Sequence, residues 1–161
     1  MGSIPTPGTI RGMKKDDKQK KPRQKDRLER LLFYARKHIG KPYKYGARPW
    51  QAPRKFDCSS FVQYCYRQIG ITLPRVSIVQ ATKGKKVGQW PATLRAGDAI
   101  FIRGTVGRYN RDFPEGIGHV ALYAGNAKVI HAEGVLFRRV VEEPLTRFLK
   151  RSKVTIVKRY L

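Results

Sequence analysis

Helices first and strands afterwards: that order predicts an α+β domain, with N-terminal helices packed on an antiparallel β-sheet. Three observations carry it. Two stretches before residue 70 space their apolar residues at helical intervals, one between Asp26 and Gly40 and one between Asp57 and Gly70. After Gly97 the pattern changes to short runs rich in Val, Ile and Tyr, separated by turn residues. The chain has 161 residues, 40% of them hydrophobic and 11% aromatic, which suffices for one core and excludes wholesale disorder.

Residues 1–25 read as a basic, disordered tail. Pro5, Pro7 and Pro22 punctuate it, and Lys14 to Lys25 is charge-dense with too little apolar surface to offset its ordering entropy. It contains no apolar core of a secretory signal. The folded domain is expected over 26–161. Asp26 is expected to cap a helix carrying Leu28, Leu31, Leu32, Ala35 and Ile39, with Gly40 as its stop. Pro42 to Pro53 reads as an irregular loop. Asp57 then caps a second helix with Cys58, Phe61, Val62, Cys65, Tyr66 and Ile69 on one face, ended by Gly70. A loop and short helix are expected over Leu73 to Lys83. Strands are expected at Ala99 to Arg103, His119 to Ala124, Lys128 to Glu133, Leu136 to Val141 and Val154 to Tyr160, with a helical turn at Glu142 to Lys150.

Charge narrows the partners. Thirty-five Lys and Arg against eleven Asp and Glu leave a formal net charge of +24. Clustered cations first suggest nucleic acid. Here the excess is spread along the chain without a basic helix or finger, so it fits any polyanionic surface, cell-wall polymers and headgroups included. No apolar run approaches the roughly 20 residues that span a bilayer.

Chemistry concentrates on Cys58. Following the cap Asp57, it sits in the first helical turn, where unpaired N–H groups and the helix dipole favour a thiolate. Cys65, mid-helix on the same face, reads as core. Of three histidines, His119 and His131 fall on consecutive strands joined through Gly125-Asn126. A loop of odd length, centred on Gly125, would set them directly opposite, with Cβ atoms about 4.5–5.5 Å apart. A strict two-residue Gly-Asn turn would send the rings to opposite faces. If they share a face, a thiol nucleophile (Cys58), an imidazole base (His119) and an orienting residue (His131) follow in chain order. His38 reads as a solvated residue on the polar side of the first helix. A zinc site of Cys58, His119 and His131 lacks a sequence-local ligand pair and is disfavoured, so neither metal nor cofactor is expected.

Those residues carry a family resemblance. Phe56-Asp57-Cys58-Ser59-Ser60-Phe61-Val62 and Gly70-Ile71-Thr72-Leu73-Pro74-Arg75, with Ser77 and Gln80, resemble the NlpC-type cell-wall cysteine peptidases, the papain-like endopeptidases of peptidoglycan. So do Leu94-Arg95-Ala96-Gly97-Asp98, Gly118-His119-Val120-Ala121-Leu122-Tyr123, Val129-Ile130-His131-Ala132 and, upstream, Gly40-Lys41-Pro42-Tyr43-Lys44-Tyr45-Gly46. The resemblance covers about residues 27–135. It implies a circularly permuted, papain-like fold and hydrolysis of peptide or isopeptide bonds in peptidoglycan stem peptides, typically between D-glutamate and a diamino acid. It assigns Cys58 as nucleophile, His119 as base and His131 as third polar residue. Tyr43 falls near the oxyanion site, while Asp57 and Ser59 fall on the pair that binds the substrate's free amine.

Four features depart from the family pattern. Ser60 and Ala47 stand where glycines are usual, and both are expected to narrow the groove. The loop holding Arg48, Pro49, Trp50 and Arg54 is long, and the Arg- and Gly-rich insert Gly104 to Gly118 leads into His119 as an expected rim or lid. The expected partners are stem peptides and, through the basic surface, anionic envelope polymers, with the protein a monomer. The family places such enzymes in the envelope or outside the cell. Without a signal in this chain, the cytoplasm stays open. Two alternatives stand beside this reading: an amidase or acyltransferase of the same fold, and a basic nucleic-acid-binding protein whose motifs are vestigial.

Overall fold

A computed structural model of the chain describes residues 20–105 and 107–161; most of the expected tail lies outside them. The elements are α1 (Gln24–Lys37), α2 (Cys58–Arg67), α3 (Ser77–Gln80), β1 (Lys85–Lys86), β2 (Ala99–Ile102), β3 (His119–Gly125), β4 (Lys128–Glu133), β5 (Arg139–Pro144), α4 (Leu145–Leu149) and β6 (Val154–Arg159). The strands form one sheet in the order β1-β6-β2-β3-β4-β5, antiparallel throughout.

The α+β expectation holds, and its details shift where side chains overrule propensity. Helix α1 starts two residues before Asp26, which lies in its first turn beside Arg23 instead of capping it. Leu31 and Ala35 are buried, but Ile39 is 43% exposed. His38 is not solvated: it is 4% exposed, packed against Phe56 and Tyr64, with Nε2 3.2 Å from the Tyr64 hydroxyl. Burial, reinforced by Lys41 and Lys37, pushes its pKa down. In α2 the expected face is buried from Cys58 to Ile69, Cys65 included. The strand expected from Leu136 begins instead at Arg139. The Glu133 carboxylate accepts the backbone N–H groups of Val135, Leu136 and Phe137 at 2.8, 2.8 and 2.6 Å, which folds them into a turn. The two-residue β1, paired with β6, carried no sequence signal.

Two layers of core grip the sheet. Phe101, Val120, Leu122, Ile130 and Ala132 pack under α1 and α2, while Ile100, Ala121, Val129 and Val157 meet Leu145 and Phe148 of α4. Period-two alternation makes this possible: neighbouring strand residues feed opposite layers. Asp98 closes the far side, holding Arg159 of β6 through two bonds of 2.7 and 2.8 Å.

Candidate active site

Asp57 is built into the first turn of α2. Its carboxylate accepts the Ser60 N–H at 2.8 Å while the Ser60 hydroxyl accepts the Asp57 N–H at 2.9 Å, a reciprocal cap. Ser60 therefore turns into the helix start and is not among the groove-lining residues. Ala47 does line the groove. Cys58, the first helical residue, is 8% exposed and lines a cavity of about 350 Å³ together with Tyr43, Asp57, Ser59, Arg75 and Ser77.

The thiol meets two opposing influences. Burial, and then the Asp57 charge, push its pKa up to about 12; the Val120 and Ser59 N–H groups and Arg75 pull the other way without prevailing. The helix start thus supplies donors, as the sequence suggests, but desolvation decides that the resting group is a neutral thiol. Among the described residues no hydrogen bond joins it to the His119 ring.

The β3–β4 hairpin settles the histidine question differently from either simple register. The turn residues are Asn126 and Ala127, both at positive φ, closing the pair Gly125–Lys128. A bulge between Tyr123 and Gly125 then restores an even register, with Tyr123 opposite Val129 and Leu122 opposite Ile130. His119 and His131 share a face as diagonal neighbours, not as a directly opposed pair. His119 Nε2 lies 2.7 Å from His131 Nδ1, and both rings pack against Phe148 of α4, His131 edge-on and His119 tilted. They occupy the α4 side of the sheet, whereas Cys58 belongs to the α2 side. Near the start of β3, one residue after His119, the Val120 N–H favours the charged form of the thiol.

Sequence reasoning missed the next member of the chain. Glu143, on β5 and 4% exposed, takes a 2.7 Å bond from His131 Nε2 to its Oε1. Arg151 clamps the same carboxylate at 2.6 and 2.9 Å. Burial alone would raise the Glu143 carboxyl, but the His131 bond and the Arg151 and Arg147 charges outweigh it and hold it below its ordinary range. Burial, the His131 ring and Arg151 hold His119 well below its own range. His131 is also lowered by burial, against the opposing pull of Glu143. The tautomers follow. An ionised carboxylate only accepts, so His131 carries its proton on Nε2 and accepts at Nδ1; His119 then donates from Nε2 and keeps an unshared pair on Nδ1. The signal missed in the sequence was the alternation of β5, which sets Glu143 on the His131 face.

Tyr43 enters from the loop before α2, held by its N–H to the Arg138 carbonyl at 3.0 Å and by pairing with Phe56. Burial, then Cys58 and Asp57, raise its pKa above the usual phenol range, keeping it a donor. Its ring lies on Gly134, where a Cβ would fall 2.5 Å from Tyr43 Cε1. Asp57 and Ser59, expected to receive an amine, are already engaged. Asp57 Oδ1 accepts Ser60 N–H and the Ser59 hydroxyl, and Oδ2 accepts Gly46 N–H at 3.1 Å and Arg75 at 2.6 Å. That fills the four acceptor positions of a carboxylate. Arg75 also donates to Ser59 Oγ at 2.9 Å and to the Ala47 carbonyl. The 104–118 insert folds back through paired backbone bonds between Arg108 and Ile117 at 2.9 and 2.8 Å, forming part of the groove's rim.

A helix-capped thiol beside an antiparallel sheet that carries a carboxylate-held histidine pair holds the residue types of a thiol-nucleophile site in an α+β domain. Comparison with known proteins narrows this: residues 40–155 match the NlpC/P60 family, and the chain belongs to it. It is similar to the probable endopeptidase p60 of Listeria seeligeri, 38% identical over 103 residues, covering 64% of this chain and 17% of that protein. It is also similar to the bifunctional muramidase/DL-endopeptidase CwlT of Bacillus subtilis, 35% identical over 127 residues, covering 76% and 35%. Among solved structures, the peptidoglycan hydrolase RipB of Mycobacterium tuberculosis is 28% identical at a TM-score of 0.63, covering 84% of this chain and 65% of that one. The chain thus spans well under half the length of these two curated relatives. Among the described residues no helix is long and apolar enough to cross a membrane.

Proposed function

We propose that this chain is a cysteine endopeptidase hydrolysing peptide or isopeptide bonds in peptidoglycan stem peptides, typically between D-glutamate and a diamino acid. The observation that carries it is the hydrogen-bonded series His119–His131–Glu143, which leaves one unshared imidazole nitrogen at the start of β3, where the Cys58 thiol meets the strand. Cys58 is the nucleophile. As substrate enters, the thiol proton passes to His119 Nδ1, the hydrogen bond tightening only in the complex, and the sulfur attacks the carbonyl carbon. The imidazolium formed on His119 is stabilised through His131 by Glu143. His119 then returns the proton to the departing amine, and water hydrolyses the thioester. Tyr43, a neutral phenol lining the same groove, donates toward the developing oxyanion. Asp57 and Ser59 belong to the binding wall through Arg75, as a braced cap rather than an open amine receptor.

The basic surface holds the monomer, residues 26–161 as its catalytic domain, on anionic envelope polymers, so the site of action is the cell envelope. Activity on intact anionic walls falls as salt rises, and activity on isolated uncharged muropeptides falls much less. The nucleic-acid reading needs a blocked thiol, whereas Cys58 opens on the groove. Incubating wild type, Cys58→Ala and His119→Ala with purified muropeptides and reading products by mass spectrometry tests the reaction. Cleavage is expected from wild type alone. Persistence in Cys58→Ala would sink the mechanism.

A further inference from the structure

Charge in the groove is lopsided. Arg48, Arg75 and Arg108 line it, and Asp57 is the one carboxylate among its lining residues. That carboxylate offers no open acceptor position, and Arg75 is used in holding it, together with Ser59 and Ala47. The other two guanidiniums differ. Both residues are exposed, and neither makes a side-chain ion pair among the described residues. Arg48 only rides over the Trp50 ring, 6.0 Å from its centroid, so its N–H edges stay open. Their backbones are nevertheless anchored. Arg48 N–H donates to Gln51 Oε1 at 2.9 Å at the start of the short helix Pro49–Gln51, and Arg108 sits in the paired bonds with Ile117. The two come from separate loops, the long one before α2 and the insert before β3, which are the segments that depart from the family pattern.

We propose that Arg48 and Arg108 form an anion-reading rim that recognises a free carboxylate on the stem peptide beside the scissile bond, and so favours acid-form stem peptides over amidated ones. This rests on the peptidase reading above. A planar guanidinium offers two parallel N–H donors that match a carboxylate and bond it with charge assistance; a primary amide brings no charge and presents its own donors on one side. An ammonium, by contrast, enters a groove where every unpaired side-chain charge repels it.

The test uses two synthetic stem peptides, identical except that the carboxylates flanking the scissile bond are amidated in one. Wild type should show kcat/KM about fivefold or more higher for the acid form, the scale of two partly exposed ion pairs. Arg48→Gln combined with Arg108→Gln should bring the ratio toward one, and raising salt should do the same in wild type. Arg48→Lys with Arg108→Lys, which keeps the charge and loses the fork, should fall between. In parallel, calorimetry with Cys58→Ala measures binding of both peptides without turnover. Equal cleavage of the two peptides, or a ratio untouched by the double Gln variant, overturns the proposal and leaves the peptidase reading intact. No cleavage of either, with arginine-dependent binding of the acid form by Cys58→Ala, overturns the peptidase reading and upholds the rim. Neither cleavage nor binding overturns both.

Discussion

His131 and Glu143 are joined by a 2.7 Å bond between neighbouring strands, both side chains buried, with Arg151 closing the far side of the carboxylate. This pair fixes the direction of every hydrogen bond back to His119. Replacing Glu143 with Gln removes the charge that forces His131 to donate, because an amide accepts or donates equally well. The expected result is a loss of kcat on the order of 10²-fold, with the fold retained. Glu143→Asp should recover part of it. Nitrogen NMR of the imidazoles checks the cause: wild-type His131 carries its proton on Nε2, and Glu143→Gln should show a tautomer mixture. Unchanged tautomers would remove Glu143 from its positioning role.

Titration of the free enzyme should show a broad plateau. His119 lies well below its ordinary value of 6.5, so its imidazole stays neutral as pH falls through the range where a solvated histidine protonates. The Cys58 thiol, pushed up to about 12, loses no proton near neutrality. The acid limb of kcat/KM is therefore expected below about pH 6, with no rise across pH 8–9 that would report a titrating thiol. Thiol alkylation rates followed against pH provide the independent readout. A thiolate titrating near pH 7 would contradict this assignment.

Stability has its own pH signature. His119 and His131 are held below 6.5 in the fold, so between the two values the unfolded chain binds more protons and stability falls as pH falls. The slope is up to about 1.4 kcal/mol per pH unit for each histidine. Glu143 acts in the same direction: its contribution is present above its unfolded value and is lost as pH drops through its lowered folded one. Thermal melts between about pH 8 and pH 5 should show Tm declining, and His119→Gln should flatten the decline. A Tm constant over that range would exclude neutral buried histidines.

Arg75 is expected to be the brace of the groove. Its guanidinium, 27% exposed, joins Asp57, Ser59 and Ala47, which come from three positions along the chain. Arg75→Gln leaves the Asp57 carboxylate short of a partner and should cost about 2 kcal/mol in denaturant unfolding. Arg75→Lys should recover little, since an ammonium cannot reproduce the fork. Additivity of Arg75→Gln with Asp57→Asn in a double-mutant cycle would show that the pair is not coupled.

Gly134 makes room for Tyr43. With a Cβ 2.5 Å from Cε1 and 2.6 Å from Cζ, Gly134→Ala must displace the ring. Activity should fall about tenfold or more, with a stability cost of about 1 kcal/mol. If the phenol is what matters, Tyr43→Phe should match the activity loss without the stability cost.

Much of this was legible in the sequence because it is local. Asp57 followed by an apolar helical pattern announces a capped helix with Cys58 at its start, and alternation after Gly97 announces strands. Local rules failed where a distant partner intervened. His38 reads as polar surface by its helical position, yet Phe56 and Tyr64 bury it. Val135 to Phe137 have strand propensity, yet the Glu133 carboxylate captures their N–H groups into a turn. Helix-dipole reasoning favours a Cys58 thiolate, yet desolvation by the surrounding core outweighs it.

Spacing and residue type alone carried the fold class and the family, and they singled out Cys58, His119 and His131 as candidates. Tertiary structure alone decided how they relate. The Tyr123–Gly125 bulge put both imidazoles on one face, the pairing of β4 with β5 delivered Glu143 behind them, and Arg75 closed the carboxylate of Asp57. Each depends on strand register or on a contact across many residues. Neither is encoded in any short window of chain: register follows from the whole set of paired neighbours, and a proton's position follows from the last charge in the line.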